Sequence, residues 1–255
     1  MAAFLAGLRL QLWWARTNVD ELQAFVITPL FTVLFGAVVD DAGRPDLFAG
    51  AVLGGGLIGV WMVCVQVGGN IIQHARWSGT FEGLVSTPAA VPLVIAGRMA
   101  VVVGVTVLLL PEAWLVAWLV FGVAVVVPHP VVLLVALLVT LVGLHGAATL
   151  VAGLCVLGRR PYVLQLALTF PFYLLSGLVV PVSVLPDWLR PVSNLSFLTW
   201  GAALLRSALL PGEPVGLDWR FAVLAVTSAT TVSAGFVVLL VVLRRASIRG
   251  TLHLV

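Results

Sequence analysis

The stretch RWSGTFEGLVSTP, Arg76 to Pro88, decides how the rest of this sequence is read. It is a polar insert between two long apolar runs, in a chain of 255 residues with thirteen arginines and no lysine. Polar groups beside a bilayer are costly unless they meet water or protein. A helix-sized segment carrying Gly79, Thr80 and Glu82 in that position reads as a docking helix.

Composition sets the class in which the insert sits. Apolar residues make up 62% of the chain and charged residues 9%, with a mean hydropathy of +1.18. Soluble domains carry about 25% charged residues, so this balance belongs to a membrane protein. Cys64 and Cys155 both fall inside apolar runs and read as packing residues, which suggests neither a disulfide framework nor a cysteine metal site. Arg9, Gln11, Arg16, Asn18, Asp20 and Glu21 interrupt the opening of the chain, so it does not read as a signal peptide.

Crossing ~30 Å of hydrocarbon takes about 20 mostly apolar residues. Six runs qualify: Leu22 to Val39, Leu47 to Ile72, Leu93 to Val127, Val131 to Leu157, Tyr162 to Val180 and Phe221 to Leu243. The third would be roughly 50 Å long as one helix, too long for one straight span and too short for two with a turn. Pro111 removes a backbone donor there and predicts a bend, with the remainder running obliquely or along the outer interface. With both termini inside, nine arginines (Arg9, Arg16, Arg76, Arg98, Arg159, Arg160, Arg244, Arg245, Arg249) are cytoplasmic and four (Arg44, Arg190, Arg206, Arg220) lie outside. That is the positive-inside bias. Splitting the third run would put Arg159 and Arg160 outside.

Before the first span, Phe4, Leu5, Leu8, Leu12 and Trp13 recur at helical spacing, with Arg9 and Arg16 on another face, as in an interfacial helix. Asn18 and Glu21 have capping-box spacing, where the chain can break and restart. Before the last span, Pro181, Pro186 and Pro191 cut an apolar stretch into pieces too short to cross a bilayer. Trp188, Phe197 and Trp200 in it are of the interfacial aromatic type. Two short helices dipping into the outer leaflet are expected, capping a pathway rather than facing lipid.

Polar residues inside the runs are candidate path or gate residues. Glu112 is the one acid well inside a predicted span, a functional-site hypothesis by default, although Pro111 could bring it close to the outer headgroups. Gln66 and Asn70, with Gln73 and His74, approach the inner end of the second run and either line an inner vestibule or mark an interfacial helix end. Gly50/Gly54 and Gly55/Gly59 give two G-x-x-x-G spacings for close helix approach, within the chain or between subunits. The four histidines are scattered, without H-E-x-x-H, G-x-S-x-G or paired carboxylates, so a membrane enzyme lacks a catalytic constellation. Without lysine the chain has no G-x-x-x-x-G-K-[ST] loop, so any ATP hydrolysis comes from another chain. Arg244, Arg245 and Arg249 anchor the last span at anionic lipid.

Taken together, GTFEGLVSTP at Gly79 to Pro88, the proline-rich segment from Ser176 to Arg206 and the layout resemble the permease subunit of a type-2 ABC exporter. Two positions depart from the pattern: Arg76 stands where an acidic residue is usual, and Phe197 where a proline is common. The resemblance implies an all-α membrane protein in one permease domain, 1–255. It would have six transmembrane helices, an interfacial helix (1–20), a cytoplasmic coupling helix (76–90) between spans two and three, and a re-entrant outer helical hairpin (182–212) before span six. Gly79, Thr80, Glu82, Leu84 and Pro88 would couple the chain to its ATPase. Gly79 permits a tight helix start, Thr80 caps it, and Glu82 pairs with a cation or merely caps a water-facing end. The implied partners are two cytoplasmic ABC ATPase subunits, a second identical or related permease chain, and membrane lipid, with no nucleic acid. ATP and Mg would sit on the ATPase, and this chain would bind no cofactor or metal. The expected substrate is amphipathic or apolar (a drug, antibiotic, lipid or glycan precursor), the setting the cytoplasmic membrane of a GC-rich bacterium. The alternative from another class is a self-contained secondary transporter or channel not driven by ATP.

Overall fold

In a computed structural model of the chain, the described residues are 2–17, 23–77, 91–157, 161–178, 182 and 185–249. Their regular structure is helical throughout. In chain order, α1 covers Ala2–Thr17, α2 Ala24–Asp41, α3 Phe48–Trp77, α4 Val91–Thr106 and α5 Leu109–Phe121. There follow α6 (Pro130–Leu157), α7 (Pro161–Leu175), α8 (Arg190–Asn194), α9 (Phe197–Leu209) and α10 (Leu217–Arg249). The capping pair Asn18 and Glu21 lies outside the described residues.

Among the described residues, four helical stretches are long and apolar enough to cross a membrane: Pro45–Ile71, Val91–Phe121, Pro130–Val156 and Leu217–Arg245. The fifth expected run, Tyr162 to Val180, is shorter than its sequence suggests. Helix α7 stops at Leu175 after 15 residues, which is ~22 Å of rise. Gly177, at φ +72°, follows in the left-handed region and turns the chain.

The third run also departs from expectation. The helix is interrupted at Val107 and Leu108, ahead of Pro111 rather than at it. Pro111 falls in the first turn of α5, where a backbone N–H has no intrahelical acceptor to lose. The second piece ends at Phe121 instead of continuing to Val127, because Gly122 adopts φ +68° as a left-handed cap.

Between lipid-exposed helices there is no hydrophobic driving force, so close approach at small residues does much of the holding. Added Cβ atoms at Gly55 and Gly59 would run into Thr32 and Thr28, which joins α3 to α2 antiparallel. The second G-x-x-x-G spacing thus works inside the chain. The first does not act as a pair: Gly54 faces the Leu178 carbonyl and Gly50 faces open space.

Gly56 receives Leu110 and Ala113, while Phe48 meets Phe121 edge-on, so α4 and α5 together run antiparallel to α3. Gly146 meets Val232 and, seven residues on in both helices, Gly153 meets Leu239, so α6 and α10 run parallel. The core lies around Trp61, which is 1% exposed and stacks on Phe172 at 4.7 Å.

Candidate functional site

The coupling residues Gly79, Thr80, Glu82, Leu84 and Pro88 lie outside the described residues, as does Pro181. What is described is the frame around the insert: α3 ends at Trp77 and α4 begins at Val91. Helix α1 is seated on both. Gly7 lets the Val94 backbone approach, and Gly97 lets in Phe4 and Leu8. Side chains at these two glycines would strike backbone atoms, which cannot move aside as a flexible side chain can.

A buried polar contact fixes the register of that seat. Arg98, 5% exposed on α4, donates from Nε to Oε1 of the fully buried Gln11 at 2.9 Å. Trp14 lies 5.2 Å from the His74 ring on α3. The apolar residues of α1 divide accordingly. Phe4 and Leu8 are half-buried and bring their backbone against Gly97 of α4, whereas Leu5, Leu12 and Trp13 stay exposed.

Gln66 and Asn70 are half-buried, one turn apart on α3. Asn70 Oδ1 accepts from Gln165 Nε2 at 3.1 Å, and Gly69 supplies the space that the Gln165 side chain occupies. Gln165 Oε1 is buried with no hydrogen-bond partner among the described residues. Three helix ends, α1, α3 and α4, therefore share one polar zone, to which α7 adds Gln165.

Glu112 stands nine residues before the end of α5. At 1.5 Å per residue that is ~13 Å from the end where Phe121 meets Phe48. Its Oε2 is buried and unpartnered among the described residues.

The segment before the last helix forms α8 and α9. Pro191 sits in the first turn of α8, and Pro186 accepts at its carbonyl from the Leu189 N–H at 2.9 Å. The Ser196 side chain caps α9 by accepting from Leu198 N at 3.3 Å. Trp188 is exposed, and Trp200 meets Trp219 edge-on. Phe197 corrects its reading as an interfacial aromatic: it is 2% exposed, fills the space at Gly143 and lies near Trp61.

Sequence reading assigned no site role to Gln11, Arg98, Gln165 or Arg206. Arg98 and Arg206 entered only as markers of membrane side. The available signal was a lone polar residue within an otherwise apolar helix, as in PYVLQLALTF. Arg206 on α9 donates from Nη2 to the carbonyls of Gly177 (2.6 Å) and Leu178 (3.1 Å), taking up acceptors freed where α7 stops. At the outset of the helical stretch that begins at Pro45, Arg44 and Asp46 pair at 2.9 Å with both side chains exposed, and the Asp46 carboxylate holds the guanidinium above its ordinary pKa.

A family model described as ABC-2 type transporter matches residues 5–210, from α1 through α9. Among individually curated proteins, none matches this chain.

Proposed function

This chain belongs to the ABC-2 type transporter family, and on that footing we propose that it supplies the path and the lever of an ATP-driven exporter for an amphipathic or apolar substrate. It is a multi-pass membrane protein and the transmembrane component of an ABC-2 transporter, a membrane domain that associates with an ABC ATPase. In our reading six helices cross the cytoplasmic membrane of a bacterium, with both termini inside. Two ATPase subunits dock on the segment from Gly79 to Pro88, and a second permease chain completes the path.

The observation that carries this reading is the seating of α1 on the two helices that bracket residues 78–90. A push on that segment reaches α3 and α4, and because α1 is locked to both, the three move together. Glu82 anchors the segment to a cation on the ATPase, Gly79 and Thr80 start its helix, and Leu84 and Pro88 complete it. Gln66, Asn70 and Glu112 face the path, while Pro181, Pro186, Trp188 and Pro191 shape the element that caps it. The antiparallel pairing of α2 with α3 and the parallel pairing of α6 with α10 have the directions that six crossings require.

The test is reconstitution in proteoliposomes with and without the ABC ATPase, using a panel of amphipathic dyes and antibiotics. ATP turnover and dye export are expected only with the ATPase present, and neither from the lysine-free chain alone. Export that proceeds without ATPase or nucleotide would make the chain a secondary carrier.

A further inference from the structure

We propose that the cavity between α2, the start of α3, α9 and the turn after α7 binds an anionic phospholipid, with an acyl chain in its apolar cleft and the phosphate on Arg206. This goes beyond the transport reading and stands without it, because it requires only that the chain sit in a bilayer. The cavity has a volume of about 330 Å³ and is lined by apolar residues that include Phe35, Val39, Leu178 and Leu209, together with Gly50. That volume lies at the lower end for small-molecule sites. Two lining residues are charged. Asp46 is already paired with Arg44, so the net charge the cavity offers comes from Arg206.

The guanidinium is held but not saturated. Both of its hydrogen bonds leave from Nη2, to Gly177 O and Leu178 O, and no described carboxylate pairs with it. Nε and Nη1 remain as donors in a forked geometry suited to phosphate oxygens. Two carbonyls fix the plane in advance, so little side-chain freedom is lost on binding.

Depth agrees with headgroup chemistry. Leu178 faces Gly54, six residues and ~9 Å along α3 from its first residue, Phe48. The guanidinium therefore lies within two helical turns of that end of α3, and a long arginine side chain can turn its free donors from there toward a lipid phosphate. Val38 and Leu210 at the margin are exposed, which leaves the cleft open for a lipid to enter from the side.

The full-length chain, delipidated in detergent, is titrated by native mass spectrometry with phosphatidylglycerol, with phosphatidylcholine, and with phosphatidylglycerol against inorganic phosphate. Gly50→Leu puts a bulky side chain into the cleft from a position where a Cβ meets nothing within 4 Å. Arg206→Gln keeps an N–H donor for the carbonyls and removes the charge. The wild-type chain should hold phosphatidylglycerol about tenfold more tightly than phosphatidylcholine. Gly50→Leu should weaken phosphatidylglycerol by about tenfold, and Arg206→Gln should bring the two lipids level. If Gly50→Leu fails to fold, the lipid preference of Arg206→Gln decides alone. The proposal is overturned if either variant binds phosphatidylglycerol as the wild type does, or if the wild type shows no lipid preference. Displacement of the lipid by millimolar inorganic phosphate would make this a free-anion site and overturn it too. So would loss of a dimer in Gly50→Leu, which would make the cleft a contact between copies.

Discussion

Arg98 and Gln11, 87 positions apart, meet at 2.9 Å as a buried hydrogen-bonded pair that pins the N-terminal helix to the start of α4. One end of that contact is a charge in an almost dry setting, so its partner cannot be removed cheaply. Gly7 and Gly97 on either side leave α1 no room to slide. The same helix reaches α3 through Trp14 and His74. Helix α1 is thereby a strap across both roots of the insert.

Gln11→Leu should loosen that strap. A hydrogen bond to a charged group contributes about 1.5 to 3 kcal/mol, so amide exchange in α1 should quicken roughly ten- to a hundredfold. Gln11→Glu, which keeps an acceptor for the guanidinium, should retain protection. Hydrogen–deuterium exchange of the purified chain decides it: wild-type protection in Gln11→Leu would mean that the glycine contacts alone seat α1.

The α2–α3 contact gives a stability prediction. A methyl group at Gly59 would overlap the Thr28 hydroxyl, and overpacking of this kind costs about 1 to 3 kcal/mol. Gly59→Ala should lower the Tm measurably, and Thr28→Ala in the same chain should recover part of the loss. Gly50→Ala, which faces open space, should leave the Tm near that of the wild type. Because alanine favours a helix over glycine at both sites, a Gly59→Ala chain as stable as Gly50→Ala would mean that the α2–α3 contact yields without cost.

Much of the architecture could be read from apolar run lengths, because a bilayer allows few backbone solutions other than helices. What escaped reading depends on partners distant in the chain. Phe197 looks interfacial in a proline-punctuated segment, and only Gly143, 54 positions earlier, makes it a core residue. Arg98 and Arg206 look like side markers, because nothing local reveals Gln11 or the free carbonyls of Gly177 and Leu178. Helix ends were misjudged where a glycine takes positive φ, as at Gly122 and Gly177, since hydropathy continues past both. For the coupling motif the sequence remains the source, as Gly79 to Pro88 lie outside the described residues.

Topology can be tested by cysteine labelling in a chain whose buried Cys64 and Cys155 are replaced by alanine. Asp41→Cys and Glu213→Cys should react with an impermeant maleimide from outside, and Arg160→Cys only after the membrane is opened. These expectations follow from the nine-to-four division of the arginines. The six-span reading puts three crossings between positions 41 and 160, so labelling of both from one side, which requires an even number, would end it.

The last prediction concerns Glu82, the acid of the only coupling-type motif in the sequence. Glu82→Ala should uncouple transport from ATP turnover without unfolding the chain. Loss of a charge-assisted contact to the docked ATPase removes roughly 1.5 to 3 kcal/mol, which corresponds to a ten- to hundredfold weaker association or coupling. Insertion and expression should hold, because an acid outside the spans leaves no cavity among them when truncated. Glu213→Ala, beyond α9 at the opposite end, is the matched control and should transport as the wild type does. The paired readouts are transport and co-purification of the ATPase at equal expression. Full transport and full co-purification in Glu82→Ala would reduce Glu82 to a water-facing helix cap and move the lever elsewhere in the insert or onto α1.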